Sequence, residues 1–191
     1  MENDTWNISA ENTANIDKDI ATYIIEQAEK SLKYSIEVAD KTTAKSITLL
    51  LILLPATSTI VGFLVNALKQ NKGLLTAETL LLMYFLLVCI ISIIFVVKLM
   101  LPRNTMAPGR DPKQLIIDEL LQRVEYTSEQ KLLAYKINEI KNFQHKITYN
   151  RKQNNARILR FKYILIYTGL TAIMGLLTYI SIVYLLAVHL L

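Results

Sequence analysis

The sequence predicts an all-α membrane protein with three transmembrane helices and a cytoplasmic helical coiled-coil-like bundle. Three observations carry that prediction. Apolar residues make up 52% of the chain and gather in three blocks, with the charges lying almost wholly between them. Ser46 to Leu68 contains 23 residues without a charge and Thr79 to Val97 contains 19, and about 20 residues of helix cross a hydrocarbon core of about 30 Å. Five glycines and four prolines in 191 residues favour long helices over a β-barrel, which needs alternating segments of about ten residues and many turns.

Residues 1–16 (MENDTWNISAENTANI) are polar and lack an apolar period, so a mobile tail is expected there. Nothing in it resembles a signal peptide, so the first span is the expected insertion signal. Residues 17–45 read as a cytoplasmic amphipathic helix. Ile20, Ile24, Gln27 and Ser31, and Tyr23, Ala28, Leu32, Ser35 and Ala39, recur at helical spacing, and Glu26–Lys30, Glu29–Lys33 and Glu37–Lys41 are i,i+4 pairs in the favourable order. No breaker precedes Ser46, so this helix runs on into the first span. Its narrow apolar stripe calls for a partner helix from the middle of the chain.

Residues 46–101 form a transmembrane hairpin. The ten residues between its charge-free arms require antiparallel helices. Pro55 in the first arm removes a helix hydrogen bond and is the candidate hinge; Thr57, Ser58 and Thr59 follow it and can bond freed carbonyls. Thr48, Ser58 and Gly62 fall on a small-and-polar face suited to close helix contact or to lining a pore. The second arm is bulky all round and reads as lipid-facing. Cys89, the chain's one cysteine, reads as a small core residue.

Residues 102–160 form a cytoplasmic basic helical segment. Pro102, Pro108, Gly109 and Pro112 break the chain after the second span. Asp111 before Pro112 is a helix-start signal, and Thr127 or Ser128 with Glu129 and Gln130 is a second capping point. Leu133, Ile137, Ile140, Gln144 and Ile147 give an apolar stripe for packing on the N-terminal helix. The third transmembrane helix, residues 161–191, has 29 residues from Tyr163, about 43 Å of helix, so it tilts or protrudes. Thr168, Thr171, Gly175 and Thr178 make a second small-and-polar face.

Twelve Lys and Arg lie in 102–161, against Lys69 and Lys72 in the hairpin turn. The positive-inside rule then places the N-terminus and middle segment in the cytoplasm and the C-terminus outside. The net charge of +5 is read this way and not as a nucleic-acid footprint. There is no phosphate loop, nucleophile elbow or metal-ligand spacing. His145 and His189 lie too far apart in depth to cooperate, and no ionisable residue sits mid-span, which argues against a proton-coupled transporter. An enzyme is not expected, and neither is a cofactor. The small-and-polar faces fit either packing within the chain or a homo-oligomer interface and pore.

The order of parts resembles the membrane domain of Pycsar-type effectors, and more loosely the two-transmembrane effector domains of bacterial nucleotide-signalling antiphage systems. The matching residues are IEVADKTTAKS before the first span, KLMLPRN after the second, and YTSEQKLLAYKINEI leading to the third. Ala39, Asp40 and Lys41 match an A-D-x-K-A pattern, from which Thr42 departs, with Ala44 and Lys45 as a shifted equivalent. Pro102 and Arg103 match a Pro-Arg pair, and Ser128 with Lys131 or Lys136 a Ser-then-Lys order. The resemblance covers about residues 20–190. It implies an antiphage effector in the bacterial inner membrane that oligomerises and disrupts or depolarises the membrane on activation. Membrane lipid and a cyclic nucleotide or cytoplasmic protein are the implied partners. Some such effectors carry a fused cyclic-nucleotide-binding domain, for which this sequence has no room, so a nucleotide would act on the helices or through a partner. Two alternatives remain at this stage: a non-pore anchor or adaptor recruiting a soluble partner through its cytoplasmic helices, and a holin-like phage protein.

Overall fold

The structure is a computed structural model. It describes residue 12 and residues 15–70, 76–101, 105–110, 117 and 121–189, with side chains to residue 185. Pro102, Arg103, Trp6 and the Asp111–Pro112 helix start lie outside the described residues, as does the side chain of His189.

Three helices dominate: α1 (Lys18–Lys69, 52 residues), α2 (Ala77–Met100, 24 residues) and α3 (Ser128–His189, 62 residues). Each is long and apolar enough to cross a membrane, and no strand occurs among the described residues. The protein is an all-α, multi-pass membrane protein.

Each helix starts where side-chain chemistry permits. Asp17 Oδ1 accepts the N–H groups of Asp19 and Ile20 at 2.9 and 2.7 Å, satisfying donors at the start of α1. Thr76 caps α2, accepting the Thr79 N–H at 3.3 Å. Thr127 and Gln130 form a capping box: the Gln130 N–H reaches Thr127 Oγ1 at 3.3 Å and the Thr127 N–H reaches Gln130 Oε1 at 2.9 Å. The capping signal at Thr127 is therefore the start of α3, and α3 then continues unbroken through the boundary near residue 160. Likewise α1 passes from the amphipathic stretch into the first span without a break. Pro55 lies inside α1, where it cannot donate to Leu51. Thr57, Ser58 and Thr59 bond the carbonyls of Leu53, Leu54 and Pro55 at 2.7, 3.1 and 2.9 Å.

The chain divides into two compact units. The first comprises residues 1–40 and 103–155. Its core is Leu32 against Phe143 and Ile147, with Ile25 and Ala28 around them, so the narrow stripe of α1 does find its partner in the middle segment. The second unit comprises residues 41–102 and 156–191. Its core joins Leu53 of α1, Cys89, Val96 and Leu99 of α2, and Ile164 of α3.

One expectation is corrected. The second span is not lipid-facing all round: Thr79, Val88, Cys89, Ser92, Val96 and Leu99 form a buried stripe along it. The stripe was invisible because α2 is apolar on every face, leaving no contrast for a period to show.

Candidate functional site

The membrane unit is held by a seam between α2 and α3. Ser92, fully buried, meets Thr168 Oγ1 at 2.8 Å. Thr168 spends its single proton on the Ile164 carbonyl at 2.8 Å, so Ser92 must be the donor to Thr168. One to two turns further along, Tyr84 donates to the Thr171 carbonyl at 2.9 Å. Gly175 is buried beneath the Tyr84 ring. A Cβ at Gly175 would lie 2.5 Å from Tyr84 Cε1 and 3.4 Å from Phe85 Cε1. The two aromatic rings meet edge to face, 5.7 Å apart, a favoured aromatic geometry. Below them opens an apolar cleft of about 400 Å³, bordered by Leu80, Tyr84, Gly175, Thr178 and Tyr179.

At the charged end of the same unit, Arg157 is 7% exposed. It donates from Nη2 to Thr43 Oγ1 at 2.8 Å and to the Leu99 carbonyl at 2.9 Å. Leu99 lies in the last turn of α2, where carbonyls lack intrahelical partners and the helix dipole favours a cation. One guanidinium thus ties together α1, α2 and α3.

The predicted site residues separate into two groups. Thr168, Thr171 and Gly175 are drawn into the α2 seam, and Thr178 borders the cleft while remaining exposed. Thr48, Ser58 and Gly62 on α1 face outward. The hydroxyls of Thr48 and Ser58 turn back to the Ala44 and Leu54 carbonyls, and among the described residues a Cβ placed on Gly62 would meet no atom within 4 Å beyond its own stretch of helix. The small faces of the first and third spans are therefore not partners within one chain; the third span's face meets α2. Pro55 is exposed. Of the motif residues, Ala39 is buried while Asp40 and Lys41 are exposed.

In the other unit, α3 holds the segment that follows the second span as a strap. Asn150, 1% exposed, accepts the Met106 N–H and donates to the Met106 carbonyl, both at 3.0 Å, and donates to Ser35 Oγ at 3.2 Å. Asn154 donates to the Ser35 carbonyl. Lys146 donates to the carbonyls of Ala107, at 2.9 Å, and Gly109. Arg110 pairs with Glu139 at 3.2 Å. Glu139, Lys146 and Asn150 are seven and four residues apart, which puts them on one face of α3. Gly109 has φ +85°, a turn in the strap that favours glycine.

Sequence reasoning missed Tyr84, Asn150, Asn154 and Arg157. Asn150, Asn154 and Arg157 continue the i+3/i+4 series of Phe143 and Ile147, a pattern that a search for apolar residues alone discards. Among the described residues no cluster of His, Cys, Asp and Glu could hold a metal ion.

The family model described as the Pycsar effector protein domain, PycTM, matches residues 50–189. No curated protein and no solved structure matches the chain.

Proposed function

Because the chain belongs to the Pycsar effector protein family, a family of membrane effectors in cyclic nucleotide antiphage defence, we propose that it oligomerises in the bacterial inner membrane and depolarises it when a signal arrives. The reading is non-enzymatic: the output is a change in membrane permeability. A single observation carries it. The face of α1 that bears Thr48, Ser58 and Gly62 is exposed and makes no close packing among the described residues, whereas the matching face of α3 is already taken by Tyr84 and Ser92. Close helix contact in lipid relies on small residues that let backbones approach, so a second copy of the chain is the natural neighbour for the α1 face. A ring of such faces also presents hydroxyls toward a common axis. Lys and Arg enrichment supports a cytoplasmic N-terminus and strap. Pro55 is the point where α1 bends most easily as the assembly opens.

The test is a voltage-sensitive dye in cells that express the chain together with a nucleotide cyclase and are challenged with phage. Depolarisation before lysis is expected, and Gly62→Leu abolishes it while the chain still inserts. An unchanged membrane potential in wild-type cells overturns the proposal.

A further inference from the structure

The apolar cleft beside Gly175 holds about 400 Å³, within the range of about 300–1,000 Å³ usual for small-molecule sites. Leu80, Leu81 and Tyr84 of α2 wall one side, and Met174, Gly175 and Ile182 of α3 the other. Leu81 and Tyr179 also border a second pocket of about 180 Å³. Asn66 and Gln70, around the end of α1, and Glu78, at the start of α2, make this second pocket polar. We propose that the two pockets form one phospholipid site, with an acyl chain in the cleft and an ethanolamine headgroup in the polar pocket, its ammonium on Glu78.

The depths of the two pockets match those of an amphiphile. Glu78 is the last charged residue before the charge-free run that starts at Thr79, so it stands where hydrocarbon gives way to headgroups. Tyr84, the cleft's last residue on α2, lies about 9 Å further along the helix. A chain that enters beside Glu78 therefore descends into the apolar part of the span. An apolar hollow stays dry and takes up apolar groups. Leu80 and Met174 are exposed, so a bilayer chain reaches this hollow without the helices parting. Tyr179 borders both pockets, and an apolar ring with a polar tip suits that boundary.

The charge selects the headgroup. Among the described residues that line the polar pocket, Glu78 is the one that carries a charge. A carboxylate flanked by two side-chain amides and the Tyr179 hydroxyl favours a cation that donates hydrogen bonds. An ethanolamine ammonium has three N–H donors, as the head of a lysine has. The quaternary ammonium of choline has none, and a glycerol headgroup has no positive charge. The phosphate is common to all three lipids and does not discriminate; Lys69, the residue before Gln70, offers it a cation. Glu78 also lies in the first turn of α2, where a carboxylate complements the helix dipole. That role calls for the charge but gives no preference among lipids.

The full chain, purified in detergent and stripped of lipid, is titrated with phosphatidylethanolamine, phosphatidylcholine and phosphatidylglycerol of one acyl composition. Native mass spectrometry reads the lipid adducts. A single saturating adduct is expected, with phosphatidylethanolamine held about tenfold tighter than the other two. Glu78→Gln brings the three lipids within about threefold of one another, while Glu78→Asp keeps the preference. Ala77→Phe and Thr178→Phe fill the cleft from its two walls, and each weakens all three lipids about tenfold. Thermal midpoints in the same detergent show which variants are folded, and the headgroup comparison on the wild-type chain stands even where a variant is not. A ladder of adducts without saturation, equal affinity for the three headgroups, a preference that survives Glu78→Gln, or binding untouched by both filling variants overturns the site. A wild-type chain silent in the dye assay leaves the site standing, because it rests on the cleft and Glu78 and not on depolarisation.

Discussion

Gly175→Ala places one methyl group against the Tyr84 ring in the seam between α2 and α3. The new Cβ would lie 2.5 Å from Tyr84 Cε1 and 2.9 Å from Cδ1, where ordinary contact begins at 3.4 Å. The Tyr84 ring must retreat by about 0.9 Å, or α2 and α3 must separate by a similar amount. Either movement lengthens the 2.9 Å bond from Tyr84 to the Thr171 carbonyl and disturbs the edge-to-face contact with Phe85. Overpacking costs about 1–3 kcal/mol, and an interhelical hydrogen bond in lipid about 0.6 kcal/mol. The better helix propensity of alanine returns up to about 1 kcal/mol. The net expectation is a loss of about 1–2 kcal/mol. Thermal unfolding of the purified chain in detergent micelles measures it. The second arm of a double-mutant cycle isolates the cause: in a Tyr84→Ala background Gly175→Ala should become neutral or stabilising. A Gly175→Ala chain more stable than wild type, with Tyr84 still present, refutes the reasoning, because the ring would then yield at no cost.

Asn150→Ala leaves the Met106 N–H and carbonyl without their buried partner, at a cost of about 2–3 kcal/mol. Limited proteolysis should cut within the strap 105–110 before any other described segment, and unchanged cleavage contradicts the clamp. Arg157→Gln removes charge-assisted bonds to the Leu99 carbonyl and Thr43; the expected loss is about 1.5–3 kcal/mol, read as a lower thermal midpoint in micelles. Cys89 is buried in the α2 stripe, so a membrane-permeant maleimide should label it only as the helices part, at a rate that rises in Gly175→Ala; rapid labelling of the wild-type chain contradicts its burial.

The helical class and three helices long and apolar enough to cross a membrane were legible in the sequence, because the bilayer demands long uncharged runs whose backbone is satisfied internally. The continuity of α1 followed from the lack of a breaker before Ser46. The start of α3 followed from the Thr127–Gln130 pattern, since capping is local chemistry within four residues. The small face of the third span was legible as a list of residues, Thr168, Thr171 and Gly175, but its partner was not. Small residues announce close approach without naming the helix that approaches.

By itself, then, the sequence determined what the solvent enforces: three apolar helices, positive charge concentrated between them, and an amphipathic helix needing a companion. Only the tertiary structure decided which faces meet. It put Ser92 and Tyr84 of an evenly apolar helix against α3 and left Thr48, Ser58 and Gly62 of α1 outward. It also buried Asn150 and Arg157, which composition alone would leave at the surface. The reason is physical. Water and lipid act on each residue's hydropathy one at a time, so their demands are written along the chain. Packing and hydrogen bonding act on pairs of atoms distant in sequence, such as Tyr84 with Thr171 or Asn150 with Met106, and such pairs exist only once the helices have come together.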